Sequence, residues 1–133
     1  MSNVSIKGAS SLDAIVKDIM DSAEVAITLA AKDASKKAAD ATKKRLRAVK
    51  HGKGSWRKYS GSWKAKAQDG GYIVYNEKHY RLTHLLEYGH DVIVNGRKVG
   101  RAKAYPHIAD AAEQGVRDFE REVKEEIERR LGA

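Results

Sequence analysis

From Ser11 to about Lys50, apolar residues recur at three- and four-residue steps: Leu12, Ile15, Val16, Ile19, Ala23, Ala26, Ile27, Ala30, Ala34, Ala38, Ala41 and Leu46. That spacing marks one face of an α-helix, or of two helices in sequence. Ser10 or Ser11 suits an N-cap, and Asp13 falls in the first turn, where the helix dipole favours negative charge. At 1.5 Å per residue, about 40 helical residues reach roughly 60 Å, more than a domain of this length covers with its own core. Either the helix breaks or part of it projects toward a partner. The apolar stripe also changes character, with large side chains as far as Leu29 and mostly alanine from Ala30 to Ala48. Alanine offers little area to bury at roughly 25 cal/mol per Å², so the expectation is that the alanine half is held less firmly and meets other subunits or moves.

A chain of 133 residues forms one domain and buries roughly two thirds of the surface its unfolded form exposes. It has no cysteine, which removes thiolate catalysis, cysteine-type metal sites and disulfides. No apolar run approaches the roughly 18 residues of a membrane span, and Met1 to Lys7 lack the apolar core of a signal peptide. The expectation is a soluble protein made in the cytoplasm. The net charge of +8 divides into −2 over residues 1–31, +11 over 32–66, +2 over 67–107 and −3 over 108–133. A basic block between mildly acidic ends suits nucleic acid, an acidic protein surface or the acidic face of a neighbouring copy, or is simply a solvated helix face.

Beyond the long helix, residues 51–61 read as a basic, glycine-rich loop with two exposed aromatics, Trp56 and Tyr59, and Gly52, Gly54 and Gly61 as helix-breaking residues. Trp63 to Gln68 alternates strictly, with Trp63, Ala65 and Ala67 on one face. Asp69-Gly70-Gly71 is a turn, and Tyr72 to Asn76 is a second strand. A short helix over His79–Tyr88 buries Leu82, Leu85 and Leu86 and stops at a left-handed Gly89. Val92 to Val99 is a hairpin around Asn95-Gly96, the pair that supplies two positive-φ positions. Pro106 suits a first helical position, and Ile108, Ala112, Val116, Phe119, Val123 and Ile127 define the apolar face of a last helix over 106–131. The order predicts an α+β fold: long N- and C-terminal helices packed on a small antiparallel sheet with a short inserted helix.

The stretch "HLLEYGH" raises the question of chemistry. On a helix, His84 and His90 stand about 120° apart with Glu87 between them. A zinc-protease helix instead spaces its histidines four apart with the glutamate next to the first. Gly89 also ends the helix before His90, so a polar cluster fixing the helix end against the next strand is the better reading of His84, Glu87 and His90. No nucleophile and base fall into a recognised spacing, and "HGKGSW" lacks the phosphate-cradling order of a P-loop. The sequence implies no catalytic residue, metal or cofactor.

The basic block is the second candidate. Lysine and arginine interleaved with Trp56, Tyr59 and Trp63 is how a single strand is held, although Trp63 already has an inward place on a strand. Lys43, Lys44, Arg45, Arg47, Lys53, Trp56, Arg57 and Lys58 are the candidate interaction residues.

From Ser60 onward, an ordered set of short blocks carries a resemblance: Ser62-Trp63, Val74-Tyr75-Asn76, Leu82-Thr83-His84-Leu85-Leu86-Glu87-Tyr88-Gly89-His90, and Pro106-His107-Ile108-Ala109-Asp110-Ala111. Over residues 55–115 the chain resembles the HK97 gp10-like family of tailed-phage proteins, with a departure at Ala109-Asp110, where the family often has a second proline. The resemblance implies a virion protein of the neck, assembled in the host cytoplasm: a tail-completion or head–tail joining component in a homo-oligomeric ring, expected to be hexameric. Its partners would be the head connector or adaptor and the tail terminator or tail tube, with DNA in the channel and no membrane. No enzyme activity is implied. In such a ring, Lys43, Lys44, Arg45 and Arg47 of one copy would face Glu120, Glu122, Glu125 or Glu126 of the next. The alternative is a basic DNA-binding accessory protein using residues 43–66.

Overall fold

A computed structural model describes residues 8–50 and 55–132, with side chains described for 12–50 and 56–132. Helix α1 runs unbroken over Gly8–Ala48, as the absence of interior proline and the alanine content allow. Because α1 starts at Gly8, Ser10 and Ser11 fall inside the helix instead of capping it, and Asp13 lies beyond its first turn; the loop residues Gly52, Lys53 and Gly54 lie outside the described residues. Ser55–Gly61 is not loop but a short helix, α2. Hairpin β1 (Trp63–Gln68) with β2 (Gly71–Asn76) follows. A 3-10 turn, Tyr80–Leu82, leads into α3 (Thr83–Tyr88). Hairpin β3 (His90–Val94) with β4 (Arg97–Ala102) precedes the last helix, α4 (Ile108–Leu131).

The fold is α+β with the two long helices at its ends, as the order of elements predicts. Its strands form two separate antiparallel pairs instead of one sheet. Each pair is closed by a two-residue turn with positive φ at both positions, Asp69-Gly70 and Asn95-Gly96. Trp63 pairs with Asn76 at one end of the first hairpin and Gln68 with Gly71 at the other, and the second hairpin carries a bulge between Val92 and Ile93.

Helix α4 runs back along α1, and this contact reverses the expectation for α1. The alanine half is the covered half: Ala30 and Ala34 are 0% exposed, and Ala38 and Ala39 are buried. Small side chains here let the helix axes approach closely, which matters more than the area each alanine contributes. Gly115 marks a close approach, since a Cβ there would stand 2.5 Å from Thr42 Oγ1. The half with large side chains extends past the end of α4, and Leu12, Ile15, Val16, Ile19, Met20, Val25, Ile27 and Leu29 are exposed.

The face α4 turns inward also differs from the apolar one expected. Ala111, Asp118 and Glu126 are its buried residues, whereas Val116 is exposed. Val116 and Phe119 flank the contact, lining a cleft with Tyr72 and Val74 of β2. Leu46, Trp56, Tyr59, Trp63 and Ala111 form the compact core, with Val74, Leu86, Tyr105 and Ile108 against it. Leu86 thus anchors α3 as expected, Leu85 is half-buried and Leu82 is exposed. On β1 the alternation holds for Trp63 and Ala65 and fades at Ala67, which is exposed.

Candidate functional site

Two features stand out: a buried polar joint at the start of α4, and the uncovered half of α1 with the charged surfaces around it. The joint is built from Glu87. Its side chain is 5% exposed, and its oxygens accept hydrogen bonds from the backbone N–H groups of His107 at 2.6 Å, Ile108 at 2.8 Å and Ala109 at 2.9 Å. These are donors of the first turn of α4, which have no partner inside the helix. The cap residue, His107, offers no side-chain cap of its own, so a glutamate 20 residues earlier fills that role. Pro106 stands just ahead of α4 instead of inside its first turn.

Burial pushes the Glu87 carboxyl up, but the three backbone donors and the adjacent His107 ring outweigh it and hold the group below its ordinary 4.5. His107 Nδ1 faces two acceptors, Tyr105 O at 2.7 Å and Glu87 Oε1 at 3.2 Å, which places a proton on that nitrogen. His107 Nε2 lies 2.8 Å from the Tyr59 hydroxyl, so both ring nitrogens are engaged. Burial, with the Glu87 charge adding to it, raises the Tyr59 hydroxyl well above the usual phenol value, so it stays a donor. Trp56 stacks on Tyr59 at 4.9 Å between ring centroids and meets His107 edge-on at 5.4 Å.

The marker residues of the sequence sort cleanly around this joint. Asn76 Nδ2 donates to Tyr59 O, and its Oδ1 accepts from His79 N, tying β2 to α2 and to the 3-10 turn. Gly89 has φ 74° and ψ 175°, so it redirects the chain into β3 and is not a left-handed helix cap. A Cβ there would lie 2.6 Å from Ala102 O, which makes glycine obligatory on two counts. His84 is exposed, and His90 Nδ1 is buried without a hydrogen-bond partner. Of the three polar residues expected to fix this turn, Glu87 alone carries the contact, and what it fixes is α4. Among the described residues, no group of three or more His, Asp or Glu side chains is placed to hold a metal ion.

Along the α1–α4 contact the charges pair within the chain. Arg45 reaches Asp118 at 2.5 Å, Lys37 reaches Glu126 at 2.8 Å and Glu122 at 3.7 Å, and Arg130 reaches Asp33. Glu126 is 2% exposed, and its hydrogen bonds from Lys37 and Arg129 hold its pKa down to about 2. Arg47 donates from Nε to Trp63 O at 2.9 Å. The expected pairing between copies therefore loses Arg45, Arg47, Glu122 and Glu126, which are engaged inside one chain. Lys43 leans toward Asp40, and Lys44, Glu120 and Glu125 remain on the surface.

Trp56, at 7% exposure, belongs to the core and is not available to stack on a base; Tyr59 and Trp63 are buried with it. The glycines around Trp56 suggest an exposed loop, whereas the i, i+3 spacing of Trp56 and Tyr59 on one helix face is the signal that fits their burial. Arg57 and Lys58 are exposed on α2. Lys58, Arg47, Lys64, Lys78 and His79 ring a shallow basic depression with Glu77 inside it, paired to Lys64 at 2.8 Å. Sequence reasoning missed Asp118 and the Thr42–Gly115 contact. An interior helix glycine was the available sign of the second, while nothing local distinguishes Asp118 from a solvated acid.

No family model, curated protein or solved structure matches the chain. No helix among the described residues is long and apolar enough to cross a membrane.

Proposed function

We propose that this chain is a structural virion protein of a tailed-phage neck, a ring-forming tail-completion or head–tail joining component that acts through its surfaces, without catalytic chemistry or a cofactor. The observation that carries the reading is the convergence of the resemblance-bearing blocks on one joint. Ser62-Trp63, Asn76, Glu87-Tyr88-Gly89 and Pro106-His107 are far apart in sequence, yet they surround the contact that seats α4. The resemblance therefore rests on residues that act as one unit of structure, not on scattered identities. The uncovered apolar half of α1 adds support for assembly, because a lone chain leaves that surface in water.

Negative-stain imaging of the purified protein, alone and mixed with head-connector and tail-tube proteins, tests the reading. Rings that join one of these neighbours are expected. A strict monomer that joins neither would overturn it.

The second reading, a DNA-binding accessory protein, draws on the basic depression around Lys58, Lys64 and Lys78. It loses its stacking aromatics to the core and keeps only phosphate contacts. A plot of log affinity for duplex DNA against log salt decides it, since phosphate binding gives a steep negative slope and a flat line removes it.

A further inference from the structure

Two apolar surfaces of this chain lie uncovered among the described residues, and they carry opposite charge. The first is α1 from Leu12 to Leu29. Leu12, Val16, Ile19, Ala23 and Ala26 recur at alternating four- and three-residue steps, the seam of a helix that packs lengthwise on a partner. Asp13, Asp18, Asp21 and Glu24 against Lys17 as the sole base make the segment acidic, net −3; Asp13, Asp18 and Glu24 stand about 100–120° from the centre of the seam and Asp21 stands on the opposite face. The second surface is the β3–β4 hairpin, which packs mainly strand on strand. Ile93, Val94 and Val99 are exposed on it, with Tyr88 exposed just before it. Arg97, Lys98, Arg101 and Lys103 accompany them, against a single acid, Asp91, that Lys98 and Arg101 already pair.

We propose that the acidic half of α1 in one copy docks on the basic β3–β4 hairpin of the next copy. The contact covers the α1 seam and one face of the hairpin, and brings a segment of net −3 (residues 12–29) against one of net +3 (residues 90–103). Pairing two α1 segments instead would bring together two segments that each carry net −3. The contact joins different patches of identical chains, so it propagates head to tail and closes into a ring when the rotation allows. The inference rests on the ring reading above and names the surfaces that would build it.

The absence of cysteine makes the test direct. Ile15→Cys, Ile19→Cys and Ile27→Cys chains are each mixed with a Val99→Cys chain and treated with a short bismaleimide. All four positions lie on the protein surface, so folding is expected to survive, which circular dichroism checks. Crosslinks between an α1 variant and the hairpin variant are expected, with the yield varying among the three α1 positions. A second arm reverses charge: Arg97→Glu with Lys98→Glu should weaken association by roughly tenfold or more, and Asp13→Lys with Glu24→Lys, on one flank of the seam, should restore it. Crosslinks between two α1 variants in place of α1–hairpin products would overturn the inference. So would rings that form normally with no such crosslink and no response to charge reversal, an outcome that leaves the ring reading standing. A strict monomer would overturn both.

Discussion

Replacing Glu87 with alanine tests the joint most directly. The change removes three hydrogen bonds to a charged acceptor and leaves the His107, Ile108 and Ala109 N–H groups to find other partners. Hydrogen bonds to charged groups contribute about 1.5–3 kcal/mol each in isolation, but Ala109 is exposed and can turn to water, and loss of an N-cap alone costs about 1 kcal/mol. Between those limits the expected loss is about 3 kcal/mol, or roughly 10–15 °C in melting temperature for a chain of this size. Glu87→Gln keeps one acceptor oxygen and should lose about half as much. The pH dependence has a definite sign. A carboxyl held below 4.5 in the folded state contributes stability that is present above 4.5 and lost as pH falls through the folded value. The gap between wild type and Glu87→Gln should therefore be widest near neutral pH and shrink under acid. Thermal melts followed by circular dichroism, at one protein concentration, read both effects. Melting within about 0.5 kcal/mol of wild type for Glu87→Ala at pH 7 would refute the assignment of Glu87 as the cap.

Gly115→Ala should destabilise the chain despite a helix-propensity gain of about 1 kcal/mol, whereas in a Thr42→Ala background the same change should stabilise it, a sign reversal that denaturant melts of the four variants would display. Tyr59→Phe removes the hydrogen bond to His107 Nε2 and should cost about 1 kcal/mol in urea denaturation. Glu126→Gln should lower the melting temperature at pH 7, and its deficit should fade as pH drops from 4.5 toward about 2, the range in which the native carboxyl takes up its proton.

Much of this architecture was legible in the sequence because local chemistry decides it. The helical period of α1, the alternation at Trp63 and Ala65 and the Asn95-Gly96 turn all follow from neighbours in the chain. The failures come from contacts made at a distance. Alanine spacing from Ala30 to Ala39 says that a helix can be approached closely but not by what, so the covered and projecting halves of α1 were exchanged. Asp118 and Glu126 read as surface acids until α4 places Arg45 and Lys37 against them. Trp56 read as exposed because glycine and lysine surround it. Glu87 was singled out for the right reason, as a polar group fixing a turn, but its partners lie at residues 107–109, beyond the reach of spacing arguments.

An unbroken helix also behaves as a lever. Ion pairs and close packing clamp α1 from Asp33 to Arg45, while the segment before Ala30 has no α4 beside it. Eighteen residues of helix, from 12 to 29, make an arm of about 27 Å, so a tilt of about 10° at the clamp swings the tip by roughly 5 Å. The converse also holds. A neighbour that seized the tip would apply torque to the α1–α4 seam, where Gly115 leaves Thr42 little room to yield, so the proposed outer contact would be mechanically continuous with the place where the chain is held together.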